Sequence, residues 1–107
     1  MSRIVSTVRE RIEKEQSEIR ARFAKEVEVH QLYLEATFYA AGNRYEEAIK
    51  KYQKALQINP THFMSLLNMG NIYKQLMRYE EALNSYNLAL QTSPDHPLVF
   101  YHIASVN

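Results

Sequence analysis

Four histidines, two acidic pairs and eight tyrosines are the residues of this chain that could do chemistry. His30, His62, His96 and His102 do not have metal-ligand spacing: His96 and His102 are six apart, and no pair stands four apart on a helix. No metal site is expected. Glu46-Glu47 and Glu80-Glu81 are adjacent in sequence and diverge on a helix, so neither pair suits general acid/base catalysis. There is no cysteine, which removes disulfides, thiolate zinc sites, iron–sulfur clusters and a cysteine nucleophile together. Two glycines are too few for a phosphate-cradling loop. The chemistry therefore points away from an enzyme and away from any cofactor.

The elements that carry these residues have a globular composition, 46% hydrophobic and 23% charged over 107 residues. Thirteen basic against twelve acidic residues leave a net charge of +1, with no bias toward nucleic acid or an anionic lipid surface. The opening MSRIVSTVRERIEKEQ has Ile4-Val5 as its longest apolar run, so no signal peptide or membrane segment is expected. The expected location is cytoplasmic.

All glycines and prolines fall after residue 41, which leaves residues 2–41 free of helix breakers. Residues 1–28 hold 13 of the 25 charges, many of them opposite pairs one turn apart, such as Arg9 with Glu13 and Glu18 with Arg22. Ile4, Val8, Ile12, Ile19, Phe23 and Val27 step by 4, 4, 7, 4 and 4 and draw one narrow apolar stripe. Thr7 with Glu10 has the spacing of a capping box. Two readings follow: a helix running unbroken to residue 41, roughly 60 Å long at 1.5 Å per residue, or a kink near Glu28 to His30 that folds the front helix back.

Behind this segment the chain repeats itself. Residues 29–62 laid on 63–96 give thirteen identities, among them Tyr39/Tyr73, Ala48/Ala82, Tyr52/Tyr86, Ala55/Ala89, Pro60/Pro94 and the whole of R-Y-E-E-A; chance would give about two. Each unit reads as an apolar helix, a short turn, a second helix opened by R-Y-E-E-A, and a proline stop. Small residues (Ala36, Gly70, Ala48, Ala82, Ala55, Ala89) mark close helix approach, Tyr52 and Tyr86 fill between units, and the acidic pairs sit where the helix dipole favours them. Six tyrosines at this period are packing elements with hydroxyls near the surface. Helices are predicted near 29–41, 45–58, 63–76, 79–92 and 97–105.

Through LYLEATFYAAGNRYEEAIKKYQKALQINP and LLNMGNIYKQLMRYEEALNSYNLALQTSP the chain closely resembles the tetratricopeptide repeat family. The resemblance implies an all-α, right-handed solenoid of antiparallel helix pairs behind a long charged amphipathic helix. Its segments are a front helix (1–28), two units (29–62 and 63–96) and the opening of a third (97–107). One departure is the first turn of each unit, where the family's glycine slot holds Asn43 and Met77; Met77 tolerates a left-handed backbone poorly, so a tighter or more helical second turn is expected.

The resemblance also implies function: a non-enzymatic module whose first helices line a concave groove for a partner peptide or helix. Groove positions carried over are His30, Tyr33, Leu34, Thr37 and Ala41; Met64, Leu67, Asn68, Asn71 and Gln75; and Leu98, Tyr101, His102 and Ser105. Asn68 and Asn71 offer amides to a ligand backbone, and Tyr33, Leu67 and Tyr101 offer anchors. The clamp with which one subclass holds chaperone C-terminal carboxylates is absent: Asn68 matches its middle asparagine, but Tyr33, Thr37, Tyr101 and Ser105 fill its other slots. The alternative function is self-assembly. The stripe of Ile4, Val8, Ile12, Ile19 and Phe23, interrupted by Glu15 and Gln16, and the apolar Phe100 and Ile103 of a third unit that breaks off, suit contacts that make a homo-oligomer. A fragment of a longer array would leave the same face open.

Overall fold

The computed structural model describes residues 3–106, with side chains from residue 5 onward. Five helices follow one another: α1 (Arg3–Ala41), α2 (Tyr45–Ile58), α3 (Phe63–Gln75), α4 (Tyr79–Thr92) and α5 (Pro97–Val106). The unbroken reading of the front segment holds. With no Gly or Pro to disturb its ladder, α1 runs 39 residues without a kink, about 58 Å at 1.5 Å per residue, and the molecule extends 69 Å along its longest axis. Thr7 lies inside this helix and does not open it. The predicted ion pairs of the front segment do not form either: among the described residues, pairs within 4 Å join Arg44 to Glu47, Lys51 to Glu35, and Arg78 to Glu46 and Glu81. Exposed side chains on a solvated helix gain too little from pairing to be held in one geometry.

The second part of α1 lies antiparallel to α2, as a turn of three residues between two packed helices requires; α3 and α4 repeat the arrangement, and α5 closes against α4. Small residues sit where predicted: Ala36, Ala48, Ala55, Ala82 and Ala89 are fully buried. Tyr52 and Tyr86 are the largest buried side chains and bridge the layers. Tyr79, by contrast, is exposed and adds little to packing. Before Pro60 and Pro94 the backbone leaves the helix, with Asn59 at φ −132°, ψ 92° and Ser93 at φ −145°, ψ 78°, because the proline ring bars its predecessor from helical geometry.

The turns within the two units correct the expectation about Met77. Asn43 and Met77 both stand at φ 62°, and the same pair of hydrogen bonds closes each turn. The amide of Asn43 donates to the carbonyl of Ala40 (3.0 Å) and that of Arg44 to Tyr39 (2.9 Å); Met77 and Arg78 repeat this onto Lys74 and Tyr73 at 3.0 and 2.8 Å. Two satisfied carbonyls and the return of the chain into α4 outweigh the roughly 1–2 kcal/mol that a left-handed non-glycine residue costs. Each turn is then covered in the same way, by Arg44 over the Tyr39 ring and Arg78 over the Tyr73 ring, both at 4.9 Å.

Candidate functional site

The first helices of the units place Thr37, Asn68, Asn71 and Gln75 around one depression of about 380 Å³, completed by Ala40, Ala41, Tyr45, Tyr52 and Ile72. Its polar groups are held from behind. The hydroxyl of Tyr52, on α2, lies 2.9 Å from the Thr37 hydroxyl on α1. One repeat later the Tyr86 hydroxyl, on α4, donates to Asn71 Oδ1 at 2.5 Å. Thr37 and Asn71 are 34 residues apart, as are Tyr52 and Tyr86, so the two bonds are one device used twice: a second-helix tyrosine passes through the pair and fixes a first-helix side chain. Burial pushes the Tyr86 hydroxyl up to about 12, so it stays a donor at neutral pH. With Oδ1 engaged, Asn71 has its Nδ2 hydrogens left for a ligand. Asn68 donates from Nδ2 to the Tyr33 hydroxyl at 3.4 Å, which leaves its Oδ1 as an acceptor. The depression therefore presents a fixed donor beside a fixed acceptor, the pattern of a peptide bond. The tyrosine hydroxyls were missed as site groups; the constant offset of 15 residues from Thr37 to Tyr52 and from Asn71 to Tyr86 is the signal that carries them.

Other predicted groove residues fall elsewhere. Leu67 is buried at 4% exposure and belongs to the core, so it offers no anchor. Ile103, expected on an open face, packs half-buried against the same core. Both belong to the packed layer that α5 joins by resting on α3 and α4. Leu34 borders a separate depression with Phe38 and Arg44. His30 lines another, about 540 Å³, with Arg22, Lys25, Glu26 and His62 beneath the overhang of α1. Tyr33 forms an aromatic cluster with His30, Tyr52 and His62, ring centres 5.5–6.3 Å away. Met64, Leu98, Tyr101 and Phe100 are exposed. His102 stacks on the Tyr86 ring at 5.6 Å, and Ser105 accepts a bond from Lys74 Nζ at 3.1 Å. The side chain of Ile4 lies outside the described residues, while Val8, Ile12, Ile19 and Phe23 are all exposed.

His62 has a structural task. Its Nδ1 accepts from the Ser65 amide (3.3 Å) and lies 2.7 Å from the Ser65 hydroxyl, capping α3. Burial first, and the neighbouring His30 second, hold it below its ordinary value of 6.5. The folded state thus takes up this proton later than the unfolded chain. The stability contributed by the neutral ring is complete above 6.5 and is lost as the pH falls from 6.5 through the lower folded value. The melting temperature is expected to drop between about pH 7.5 and about pH 5. His62→Asn, which keeps a capping oxygen but does not titrate, should flatten that drop in thermal melts at the two values.

Among the described residues no group of three His, Cys, Asp or Glu side chains comes together to hold a metal ion, and no helix is long and apolar enough to cross a membrane.

Comparison with known proteins follows the same geometry. A family profile described as TPR repeat matches residues 38–77, and one described as tetratricopeptide repeat matches residues 64–96. No curated protein sequence matches the chain. Among solved structures, a MamA mutant is 26% identical with a TM-score of 0.67 over 73% of this chain and 57% of its own. An Arabidopsis OM64 TPR domain is 19% identical, with a TM-score of 0.71 over 75% of this chain and 66% of its own. The second TPR of Spaghetti (RPAP3), bound to the HSP90 peptide SRMEEVD, is 17% identical, with a TM-score of 0.76 over 81% of this chain and 80% of its own. The chain thus spans less than two thirds of the first two structures, and the likeness to the last two is one of fold.

Proposed function

Because the chain belongs to the tetratricopeptide repeat family, a family of protein-interaction modules, we propose that it is a non-enzymatic scaffold that holds a partner peptide in extended form across Thr37, Asn68 and Asn71. The observation that carries this reading is the tyrosine device. Tyr52 and Tyr86 pre-set the groove side chains, so little side-chain freedom is lost when a backbone amide docks between Asn71 Nδ2 and Asn68 Oδ1. Met64 and Tyr101, both exposed, are available as apolar contacts for ligand side chains. The segment boundaries at residues 28, 62 and 96 and a cytoplasmic address are parts of this reading.

The ligand chemistry is neutral. The solved neighbour carrying SRMEEVD shows that the fold accepts an acidic peptide in that protein, whereas no cation lines the depression here. Asn68→Ala combined with Asn71→Ala is expected to abolish most partner capture from a lysate by the intact chain while lowering the circular dichroism melt only by the few degrees that loss of the Tyr86–Asn71 bond, worth about 1 kcal/mol, brings. Equal capture by mutant and parent would move the binding surface elsewhere. SRMEEVD itself should bind no better than its scrambled sequence, since a carboxylate finds no charge partner; clear preference for SRMEEVD would refute the neutral-ligand assignment.

A second reading has its own observation: the exposed stripe of α1 is not covered by any other described element. Self-assembly through α1 would bury it, and groove binding and self-assembly can coexist in one molecule. Phe100 on α5, also exposed, is the competing self-assembly face.

A further inference from the structure

Every residue of α1 from 5 to 28 is exposed, and Val8, Ile12, Ile19, Phe23 and Val27 are between 48% and 62% accessible. Together with Ile4 they step by 4, 4, 7, 4 and 4 residues, a series that reads the same in both directions. Each position i has a mate at 31 − i: 12 with 19, 8 with 23, 4 with 27. The midpoint falls between Glu15 and Gln16. A palindromic stripe is complementary to itself under a twofold axis crossing the helix, which is the operation relating two copies in an antiparallel pair.

We propose that the front part of α1 pairs antiparallel with the same segment of a second copy, about a dyad between Glu15 and Gln16. This rests on the self-assembly reading and supplies its geometry. Ile12 then shares a layer with the partner's Ile19, and Val8 with the partner's Phe23, so a small side chain meets a large one at each outer layer. At about 100° per residue, Arg11 and Glu18 lie on one flank of the stripe and Glu13 and Arg20 on the other. The register brings Arg11 beside the partner's Glu18 and Glu13 beside the partner's Arg20, opposite charges on both flanks. The same register also brings like charges together, Glu15 against the partner's Glu15 at the dyad and, farther out, Arg11 near the partner's Arg22 and Arg9 near the partner's Arg20.

Orientation follows from where the repeats begin. Val29 is the first buried residue, so an antiparallel pair keeps the two repeat bodies at opposite ends. Thr37, which lines the groove, lies eighteen residues beyond Ile19, five turns on and therefore on the same face of α1. A parallel pair would press the two groove sides against each other.

The intact chain has no cysteine, so single cysteines report the register directly. Gln16→Cys should form a disulfide-linked dimer under mild oxidation. Ile12→Cys alone should not, and Ile12→Cys mixed with Ile19→Cys should. Glu15→Gln, which removes the like charges at the dyad, should tighten the dimer several-fold in sedimentation equilibrium, and Ile12→Asp with Ile19→Asp should leave a monomer with unchanged helicity. Self-linking by Ile12→Cys, or no tightening by Glu15→Gln, overturns the register. A 12.6 kDa species in light scattering at about 100 µM overturns self-assembly as a whole, because mass action would populate a specific pair there. A dimer that survives the two aspartates but is dissociated by Phe100→Asp overturns the front-helix proposal and leaves the self-assembly reading standing.

Discussion

Tyr86→Ala is expected to cost about 3–5 kcal/mol of folding stability, the scale for truncating a buried aromatic side chain, and so to remove much of the total of a domain this size. The ring is fully buried and faces two neighbouring elements at once. It lies against Gly70 on α3, stacks at 13° on His102 of α5, and sends its hydroxyl to Asn71 Oδ1. Truncation opens a cavity between α3 and α4, removes the surface on which α5 rests, and releases the groove amide. Tyr86→Phe separates these effects: it keeps the ring, loses one bond worth about 1 kcal/mol net, and leaves Asn71 free to turn. Urea unfolding of the two variants checks the stability difference. Partner capture by Tyr86→Phe checks whether the fixed amide matters for binding, since that variant stays folded.

Helix boundaries were legible in the sequence because the 34-residue period, the R-Y-E-E-A starts and the two prolines are local signals with local consequences. The continuity of α1 was not, since neither a breaker nor a stop distinguishes a straight helix from a kinked one when the decisive factor is whether anything packs on the stripe. Met77 misled for a related reason: propensity weighs the strain of one residue, whereas two hydrogen bonds and the return of α4 decide the turn. Asn68, Asn71 and Thr37, expected in a groove by resemblance, line one depression. Leu67 was misplaced because an apolar residue type does not distinguish a groove anchor from a core side chain, and here the side chain packs into the core. The tyrosine hydroxyls were hidden by a correct observation: Tyr52 and Tyr86 do pack, and packing was taken as their whole role.

Gly70→Ala should destabilise the protein by about 1–3 kcal/mol, the scale for overpacking a filled core, although alanine is favoured over glycine in a helix interior by roughly 1 kcal/mol. The sign is decided by one contact. A Cβ at position 70 would stand 2.6 Å from Tyr86 Cε1 and 2.8 Å from Cδ1, closer than carbon atoms approach. The ring cannot retreat, being buried on all sides, stacked on His102 and tied at its hydroxyl to Asn71. Gly42→Ala is the control: there a Cβ meets only the carbonyl oxygens of Tyr39 at 3.7 Å and Phe38 at 3.9 Å, ordinary contacts that should leave stability nearly unchanged. Repeating Gly70→Ala in a Tyr86→Leu background tests the mechanism, because a smaller and more flexible side chain gives way. The coupling between the two sites should be of the order of 1 kcal/mol or more. An equal loss in both backgrounds would show that α3 and α4 approach through some contact other than Gly70 on Tyr86.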